Sequence, residues 1–323
     1  NMNIKKIGLT ALAGSLVATS AFAGEMSVAG SASITVEHKN GTAADSGKSY
    51  TMGNQLTFTG SGELDNGLNV SLSFVIDQGD DASNADGTTK SSNAGTPFDS
   101  HSVTISSDDF GSVNFAGEGG SSATTALDAT AAGDIWDQYD DETGLEPTGV
   151  GSGDNMFMYT TPSLMEGLTL KASFLPSRAG KDSAVGFSGT YTGVEGLTVS
   201  YAHGDSNSVG NTEDATVLKG SYAWGPITIS YSDYEYDAAA TTNDDDVTSY
   251  KLSYTVSDEI SISYGTEDID QGTKSSEYER LSVSYTAGGM TISASMSEAT
   301  DMDGTTTATE DAEKWSLGAS FAF

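Results

Sequence analysis

The sequence predicts an all-β fold, a 16-stranded antiparallel transmembrane β-barrel, and three observations support it. Near the C-terminus, Trp315, Leu317, Phe321 and Phe323 fall on one face of a strand, and small residues fall on the other. The same alternation recurs along the chain, and short connections alternate with long ones. A lipid-facing strand face must be apolar, whereas a water-filled interior accepts small polar residues. The pattern is therefore typical of a barrel in a membrane.

The first 23 residues have the pattern of a secretory signal peptide. Lys5 and Lys6 form a positively charged N-terminal region, and residues 7–17 are mostly apolar. Ala21-Phe22-Ala23 is a cleavage site of the small-x-small type. A buried N-terminal helix is the alternative, but the basic flank and the cleavage site favour a signal. We expect cleavage after Ala23, export, and a single barrel domain over residues 24–323.

Composition excludes several other classes of protein. The chain has no cysteine, so an exported fold must be held by backbone pairing and burial and not by disulfides. A formal net charge of -33 makes nucleic acid an unsuitable partner, because phosphate binding requires clustered lysine and arginine. Beyond the signal, the chain lacks an apolar run long enough for a membrane helix, so a membrane-spanning fold must be a barrel.

Sixteen segments alternate large apolar residues with Ser, Thr, Asn or Gly, as half-exposed strands do. The segment 68–76 shows the alternation most regularly, with Leu68, Val70, Leu72 and Phe74 on one face. The predicted strands centre on 26–36, 56–58, 68–76, 103–105, 113–115, 157–159, 168–174, 185–191, 197–201, 218–224, 227–231, 250–256, 260–264, 281–285, 290–296 and 315–323.

Connection length gives an independent indication of the same fold. Seven short turns, rich in Gly, Asn and Asp, are expected at 65–67, 108–111, 163–167, 193–196, 224–226, 257–259 and 287–289. Eight longer segments lie between them. Outer-membrane barrels have short periplasmic turns and long external loops, whereas soluble β-sandwiches have no reason to alternate in this way.

At this level the chain resembles the general-diffusion porins of Gram-negative outer membranes, the trimeric alphaproteobacterial type in particular. The resemblance rests on the signal peptide, the alternating strands, the alternating connections, the terminal Phe323 and a long third loop. It implies passive passage of small hydrophilic solutes and ions, no enzymatic activity and no cofactor. It also implies a homotrimer, contact with outer-membrane lipid and lipopolysaccharide, and recognition of Phe323 by the outer-membrane assembly machinery.

The third long connection, residues 117–154, is the candidate functional segment because loops of this length are usually functional or disordered. In porins the equivalent loop folds into the lumen and narrows it. The resemblance therefore makes the loop's carboxylates the candidate acidic side of a constriction. These residues are Asp134, Asp137, Asp140, Asp141 and Glu142. The alternative is that the loop lies outside the barrel with its carboxylates in water.

Five basic residues are expected to face the lumen. Each occupies the inner phase of its predicted strand, that is, one of the alternate positions whose side chains point into the barrel. A lysine or arginine facing lipid at mid-bilayer costs about 2–4 kcal/mol. These residues are Lys171, Lys219, Lys251, Arg280 and Lys314. Their position opposite the loop carboxylates is implied only by the family. The excess of carboxylates favours a weak cation preference.

Other interpretations remain at this stage. A channel specific for a sugar, phosphate or peptide would need an aromatic or basic track in the lumen, and a barrel enzyme or an adhesive surface barrel is more distant. The sequence contains no nucleophile elbow and no clustered histidines. Acidic clusters such as Asp244-Asp245-Asp246 and Glu267-Asp268 are placed in outer loops. They form either a solvated rim or sites for Ca²⁺ or Mg²⁺ that bridge to lipopolysaccharide.

Overall fold

The computed structural model describes residues 24–40, 47–77, 98–139, 145–178, 180–205, 213–238, 244–302, 304 and 311–323. The predicted signal peptide, residues 1–23, lies outside the described residues. Within these ranges, no helix has both the length and the apolar character needed to cross a membrane.

Sixteen β-strands account for most of the described chain, in agreement with the predicted number. They are β1 (Glu25–Asn40), β2 (Gly47–Glu63), β3 (Asn69–Asp77), β4 (Phe98–Ser107), β5 (Gly111–Glu118), β6 (Met156–Thr160), β7 (Leu168–Leu175), β8 (Ala184–Val194), β9 (Leu197–Asp205), β10 (Asp214–Trp224), β11 (Ile227–Asp237), β12 (Asp245–Thr255), β13 (Ile260–Gln271), β14 (Lys274–Ala287), β15 (Met290–Thr300) and β16 (Ala312–Ala322).

The strands form one closed antiparallel barrel in which each strand pairs with its sequence neighbours. Closure is made by β1 and β16, whose register runs from Ser31 opposite Ala322 to Asn40 opposite Glu313. Closure removes the unpaired edges of an open sheet, so every strand finds hydrogen-bond partners on both sides. The predicted fold class is confirmed.

The two phases of each strand differ in character, as the sequence predicted. Leu218, Tyr222, Leu252 and Leu281 belong to the phase with large apolar side chains, and all are exposed on the barrel surface. The opposite phase is small and polar; Ser249, for example, is completely buried. Successive side chains of a strand point to opposite faces, so the apolar phase faces lipid and the polar phase faces the interior.

All seven predicted short turns join consecutive strands, but the outer ends of the barrel differ from the prediction. The connection between β13 and β14 is a two-residue turn, with Gly272 at a φ of 62°. Strands β11, β12 and β13 extend further than their apolar alternation indicated. Asp245, Asp246 and Glu267 therefore lie on strands and not in loops, and neighbours such as Asp245 and Asp246 point to opposite faces.

Candidate functional site

The connection between β5 and β6 packs against the inward phase of the barrel wall. It contains a short helix α1 (Thr125–Asp128) and a 3₁₀ turn at Trp136–Tyr139. Ile135 and Tyr139 of this loop are fully buried, in one apolar cluster with inward-phase residues of the eight strands β9–β16. The wall residues in this cluster include Val217, Tyr234, Val247, Ile269 and Tyr278. The large side chains of the loop therefore pack against the wall.

Glu267 on β13 is the strongest polar contact between the wall and this loop. Its side chain is fully buried, and it accepts hydrogen bonds from the backbone N–H groups of Ile135 at 2.7 Å and Trp136 at 3.2 Å. The Thr130 hydroxyl donates to its other oxygen. A hydrogen bond to a charged group contributes about 1.5–3 kcal/mol, so three donors on one carboxylate hold the loop firmly.

Serine side chains on the wall fix the loop backbone at three further points. The N–H of Ala123 donates to Ser173 Oγ at 2.9 Å, and that of Ala132 donates to Ser249 Oγ at 3.0 Å. Between them, the N–H of Ala131 donates to Ser232 Oγ at 2.7 Å. These hydroxyls satisfy backbone groups that no strand partner reaches, which a buried irregular segment requires.

Glycines on the inward phase provide space for the loop. A Cβ on Gly204 would collide with Thr124 Oγ1, and one on Gly265 would lie 2.7 Å from Ala132 Cβ. Gly186 is similarly close to Thr124, at 3.2 Å from its Oγ1. The loop therefore occupies the volume in which a side chain would otherwise stand.

Substitution of Gly265 by valine is expected to displace the loop from the wall. The new side chain would meet Ala132 and the Tyr250 carbonyl, and overpacking of this kind costs about 1–3 kcal/mol. Since the chain has no cysteine, Ala132→Cys provides a single reporter thiol whose parent side chain is 1% exposed. Its labelling rate should rise roughly tenfold or more in the valine variant.

The control is Gly60→Val, because a Cβ on Gly60 meets nothing within 4 Å. It should leave the labelling of Ala132→Cys unchanged. Equal labelling rates in the Gly265→Val and Gly60→Val backgrounds would show that Gly265 does not support the loop.

The structure places two of the five predicted loop carboxylates. Asp134 is half-buried at a φ of 48°, and its Oδ1 accepts the N–H of Thr130 at 2.8 Å. Asp137 is exposed in the 3₁₀ turn. Asp140, Asp141 and Glu142 lie outside the described residues.

A further carboxylate, Asp128 at the end of α1, was not among the sequence candidates. Burial raises the pKa of Asp128 to about 6, and the nearby charge of Asp134 acts in the same direction. Lys219 and hydrogen bonds oppose this shift. Asp128 therefore changes charge near neutral pH, unlike an ordinary aspartate.

Three of the five predicted basic residues bind carbonyl groups of the loop. Lys219 donates a hydrogen bond to Ala129 O. Arg280 donates to the carbonyl groups of Ala132 and Gly133. Lys314 donates to Gln138 O at 3.3 Å. Lys314 also pairs with Glu37 across the closing seam at 2.8 Å. These cations therefore lie beside the loop and satisfy carbonyl groups of its backbone.

The other two basic residues lie on the same phase of their strands. Lys251 lies near Arg280 and Glu267 on the wall behind the loop. Lys171 on β7 is opposite Ser188 of β8 and Thr160 of β6 in the strand register. In the described part of the chain, no three His, Cys, Asp or Glu residues gather into a group that could hold a metal ion.

The wall formed by β1–β5 has a different lining. Its inward phase carries hydroxyl and amide side chains, such as Thr35, Thr57, Ser73 and Thr104. Asn114 Nδ2 donates to Thr104 Oγ1 at 2.8 Å on this face. The hydrogen-bonding anchors described above lie on β7 and later strands, so the β1–β5 wall offers mainly hydroxyl and amide groups to the interior, with the charged Glu37 and Lys39 at one end of β1 beside Lys314 and Tyr139.

A closed sixteen-stranded barrel with an apolar exterior, a polar interior and a loop held on its inner wall defines a membrane channel of the outer-membrane type. Residues 8–323 match the model of the Gram-negative porin family, so the chain belongs to that family. Its family places it in the outer membrane as a channel protein. The predicted resemblance is confirmed.

Solved structures with the same fold are distant in sequence. The anion-selective porin from Comamonas acidovorans is 15% identical, with a TM-score of 0.67 over 93% of this chain and 100% of that one. A triple mutant of the Rhodopseudomonas blastica porin is 14% identical, with a TM-score of 0.68 and the same coverage. No curated protein sequence matches the chain. At these identities the structural similarity supports the fold alone.

Proposed function

We propose that this porin forms a water-filled channel for passive diffusion of small hydrophilic solutes and ions, narrowed by the loop between β5 and β6. The observation that carries this proposal is the attachment of the loop to the inward phase through Glu267 and the serines of β7, β11 and β12. A loop attached there occupies part of the barrel cross-section. The β1–β5 wall, lined mainly by hydroxyl and amide groups, then forms the other side of the passage.

A weak preference for cations is part of the proposal. The described loop contributes Asp128, Asp134 and Asp137, and the Lys219, Arg280 and Lys314 side chains are bound to loop carbonyls. Charged side chains lining a pore set ion preference, whereas the fold does not. The acidic chain can therefore differ in selectivity from the Comamonas acidovorans porin, which is described as anion-selective.

Assembly and surroundings follow the family pattern in this proposal. The precursor is cleaved after Ala23, the assembly machinery recognises Phe323, and three copies associate in a membrane that contains lipopolysaccharide. Gly30 and Ala32, on the outward phase of β1, are small enough for close contact between protomers. Gly30 already accommodates the Phe323 ring, since a Cβ at Gly30 would lie 2.4 Å from its Cε2.

Ca²⁺ or Mg²⁺ is proposed at the outer, acidic ends of the strands. On the outward phase, Asp246 is opposite both Glu235 and Asp270, and Glu279 is opposite Glu298. Like charges directly opposite each other in a sheet are destabilising. Because no three described carboxylates gather at one point, a divalent cation here would bind to a pair of carboxylates, relieve this repulsion and complete its coordination with water and anionic lipid phosphates.

Cation preference is expected to decline between pH 7.5 and 5 because Asp128 loses its charge there. Its pKa, raised to about 6 by burial and by Asp134, means that the carboxylate is charged well above pH 6 and neutral well below it. The other charged or titratable groups near it are Lys219 and Tyr234. Reversal potentials across a salt gradient at several pH values should show this titration, and Asp128→Asn should remove it. Identical pH dependence in both proteins would contradict this assignment.

Solute passage is tested by reconstituting the protein into liposomes and measuring swelling in isotonic solutions of neutral sugars of increasing size. The proposal expects fast swelling with small sugars and a decline with size, compared with protein-free liposomes. Swelling for one sugar but not for others of its size would indicate a substrate-specific channel. The absence of swelling with every small solute would contradict the proposed function.

A further inference from the structure

A cavity of about 240 Å³ lies between the loop and the barrel wall. The loop contributes Asp128, Asp134 and Trp136 to its lining, and the wall contributes Tyr234 and Val247. The returning part of the loop closes one side with Pro147, Thr148 and Gly149. A volume of this size matches a small organic molecule and is large for a single inorganic ion.

The cavity is negatively charged. Asp128 and Asp134 both line it, and they lie close enough for the charge of Asp134 to disfavour that of Asp128. Lys219 is the cation near both carboxylates, and its Nζ is bound to Ala129 O. Two carboxylates against one ammonium leave one negative charge in a partly desolvated space, which a bound monocation would balance.

Most of the remaining lining is apolar or aromatic, apart from Thr130 and Thr148. Val247 is buried, and the Tyr234 ring is held in place by its hydroxyl, which donates to Thr148 O. Trp136 of the loop is half-buried and also lines the cavity. Aromatic rings attract organic cations, and apolar walls favour a ligand with an apolar body over a hydrated inorganic ion.

We propose that this cavity is a binding subsite for small organic monocations with an apolar body, such as aromatic or aliphatic amines. The proposal rests on the proposed channel function, since the site would lie on the loop beside the permeation path. Occupancy would place a positive charge and an organic group at the narrowed part of the channel. Amines of this class would then permeate more slowly than their size predicts, because they are retained.

Three probes separate charge from apolar contact. Benzylammonium has both features, methylammonium has only the charge, and benzyl alcohol has only the apolar body. Calorimetric titration of the detergent-solubilised full chain at pH 7.5, corrected with protein-free micelles, measures each affinity. Benzylammonium is expected to bind roughly tenfold or more tightly than either of the other probes.

Two variants and a control locate the binding. Asp128→Asn removes one charge of the cavity and should weaken benzylammonium binding roughly tenfold. Gly149→Leu keeps every charge and adds a bulky side chain at a lining position where a Cβ meets nothing within 4 Å, and it should abolish binding. Glu146→Gln removes an exposed carboxylate of the same loop that does not line the cavity, and its affinity should match wild type.

Each alternative result is decisive. If benzylammonium binds no better than methylammonium, the subsite does not exist. The same conclusion follows if Gly149→Leu binds benzylammonium as tightly as the control Glu146→Gln and the wild type do. Equal weakening by Glu146→Gln and Asp128→Asn would show general attraction to an acidic loop and would also overturn the proposal. Ion conduction in planar bilayers separates the two proposals: a conducting channel without selective amine binding removes only the subsite, whereas a silent protein removes the channel function.

Discussion

Replacing Glu267 with alanine is expected to make the channel current unstable, with frequent brief closures at voltages at which the wild-type current is quiet. The substitution removes the acceptor for the N–H groups of Ile135 and Trp136 and for the Thr130 hydroxyl. Each buried donor left without a partner costs about 1–3 kcal/mol. The loop would therefore leave the wall for part of the time and move into the passage.

Single-channel recording in planar bilayers measures this effect, and two other variants calibrate it. Glu267→Gln keeps one acceptor oxygen and can donate to Thr130, so its current should be intermediate. Glu259→Gln removes an exposed carboxylate from the turn that precedes β13, and its current should match wild type. If Glu267→Ala is as quiet as Glu259→Gln, Glu267 does not hold the loop.

Deletion of Phe323 is expected to reduce the amount of assembled barrel in the outer membrane far more than it changes the pore. In the structure the Phe323 N–H donates to Gly30 O at 2.9 Å, and the Gly30 N–H donates to Phe323 O at 2.7 Å. Two backbone hydrogen bonds contribute only about 1–3 kcal/mol in total, and the Phe323 side chain is 75% exposed on the outer surface. A large loss in cells would therefore reflect recognition during assembly.

The measurement compares cellular outer-membrane levels with refolding of the purified chain in detergent. Phe323→Ala keeps both backbone hydrogen bonds and removes only the ring, so it separates recognition of the side chain from closure of the seam. The deletion and Phe323→Ala should both assemble poorly in cells and refold nearly normally in detergent. Normal outer-membrane levels for both variants would contradict a role of Phe323 as an assembly signal.

The barrel itself was predictable because lipid imposes a strict alternation on each strand. Val70, Leu72 and Phe74 must face outward, so Ser71 and Ser73 must face inward, and the phase of β3 follows from the sequence. The short connections were predictable because Gly, Asn and Asp favour tight turns, as at Asp65-Asn66-Gly67.

The outer ends of the strands were not predictable by this rule, because the rule depends on lipid. Beyond the apolar band, β11 continues through Asp233, Glu235 and Asp237, whose side chains occupy the outward phase without being apolar. The same applies to β13, where Asp268 and Asp270 continue the outward phase. These acidic residues resemble the composition of an external loop, although hydrogen-bonded strand pairing continues through them.

The loop anchors were missed for a related reason. Glu267 was assigned to an outer loop, yet it shares the inward phase with Gly265, two residues before it. The available signal was the small size of inward residues on these strands, since Gly186, Gly204 and Gly265 stand on the same phase as Ser188, Ser200 and Ser263. Which segment fills that space depends on contacts distant in sequence, which local patterns do not encode.

Reversal potential in a planar bilayer under a salt gradient tests most directly whether the docked loop controls ion passage. The wild-type chain should open discrete steps of current with a reversal potential of the sign expected for cation preference. The double variant Asp128→Asn with Asp134→Asn should keep the steps and shift the reversal potential toward zero or beyond. Discrete steps with the same reversal potential in both proteins would contradict the control of ion passage by the loop, and the absence of steps in the wild type would contradict the channel itself.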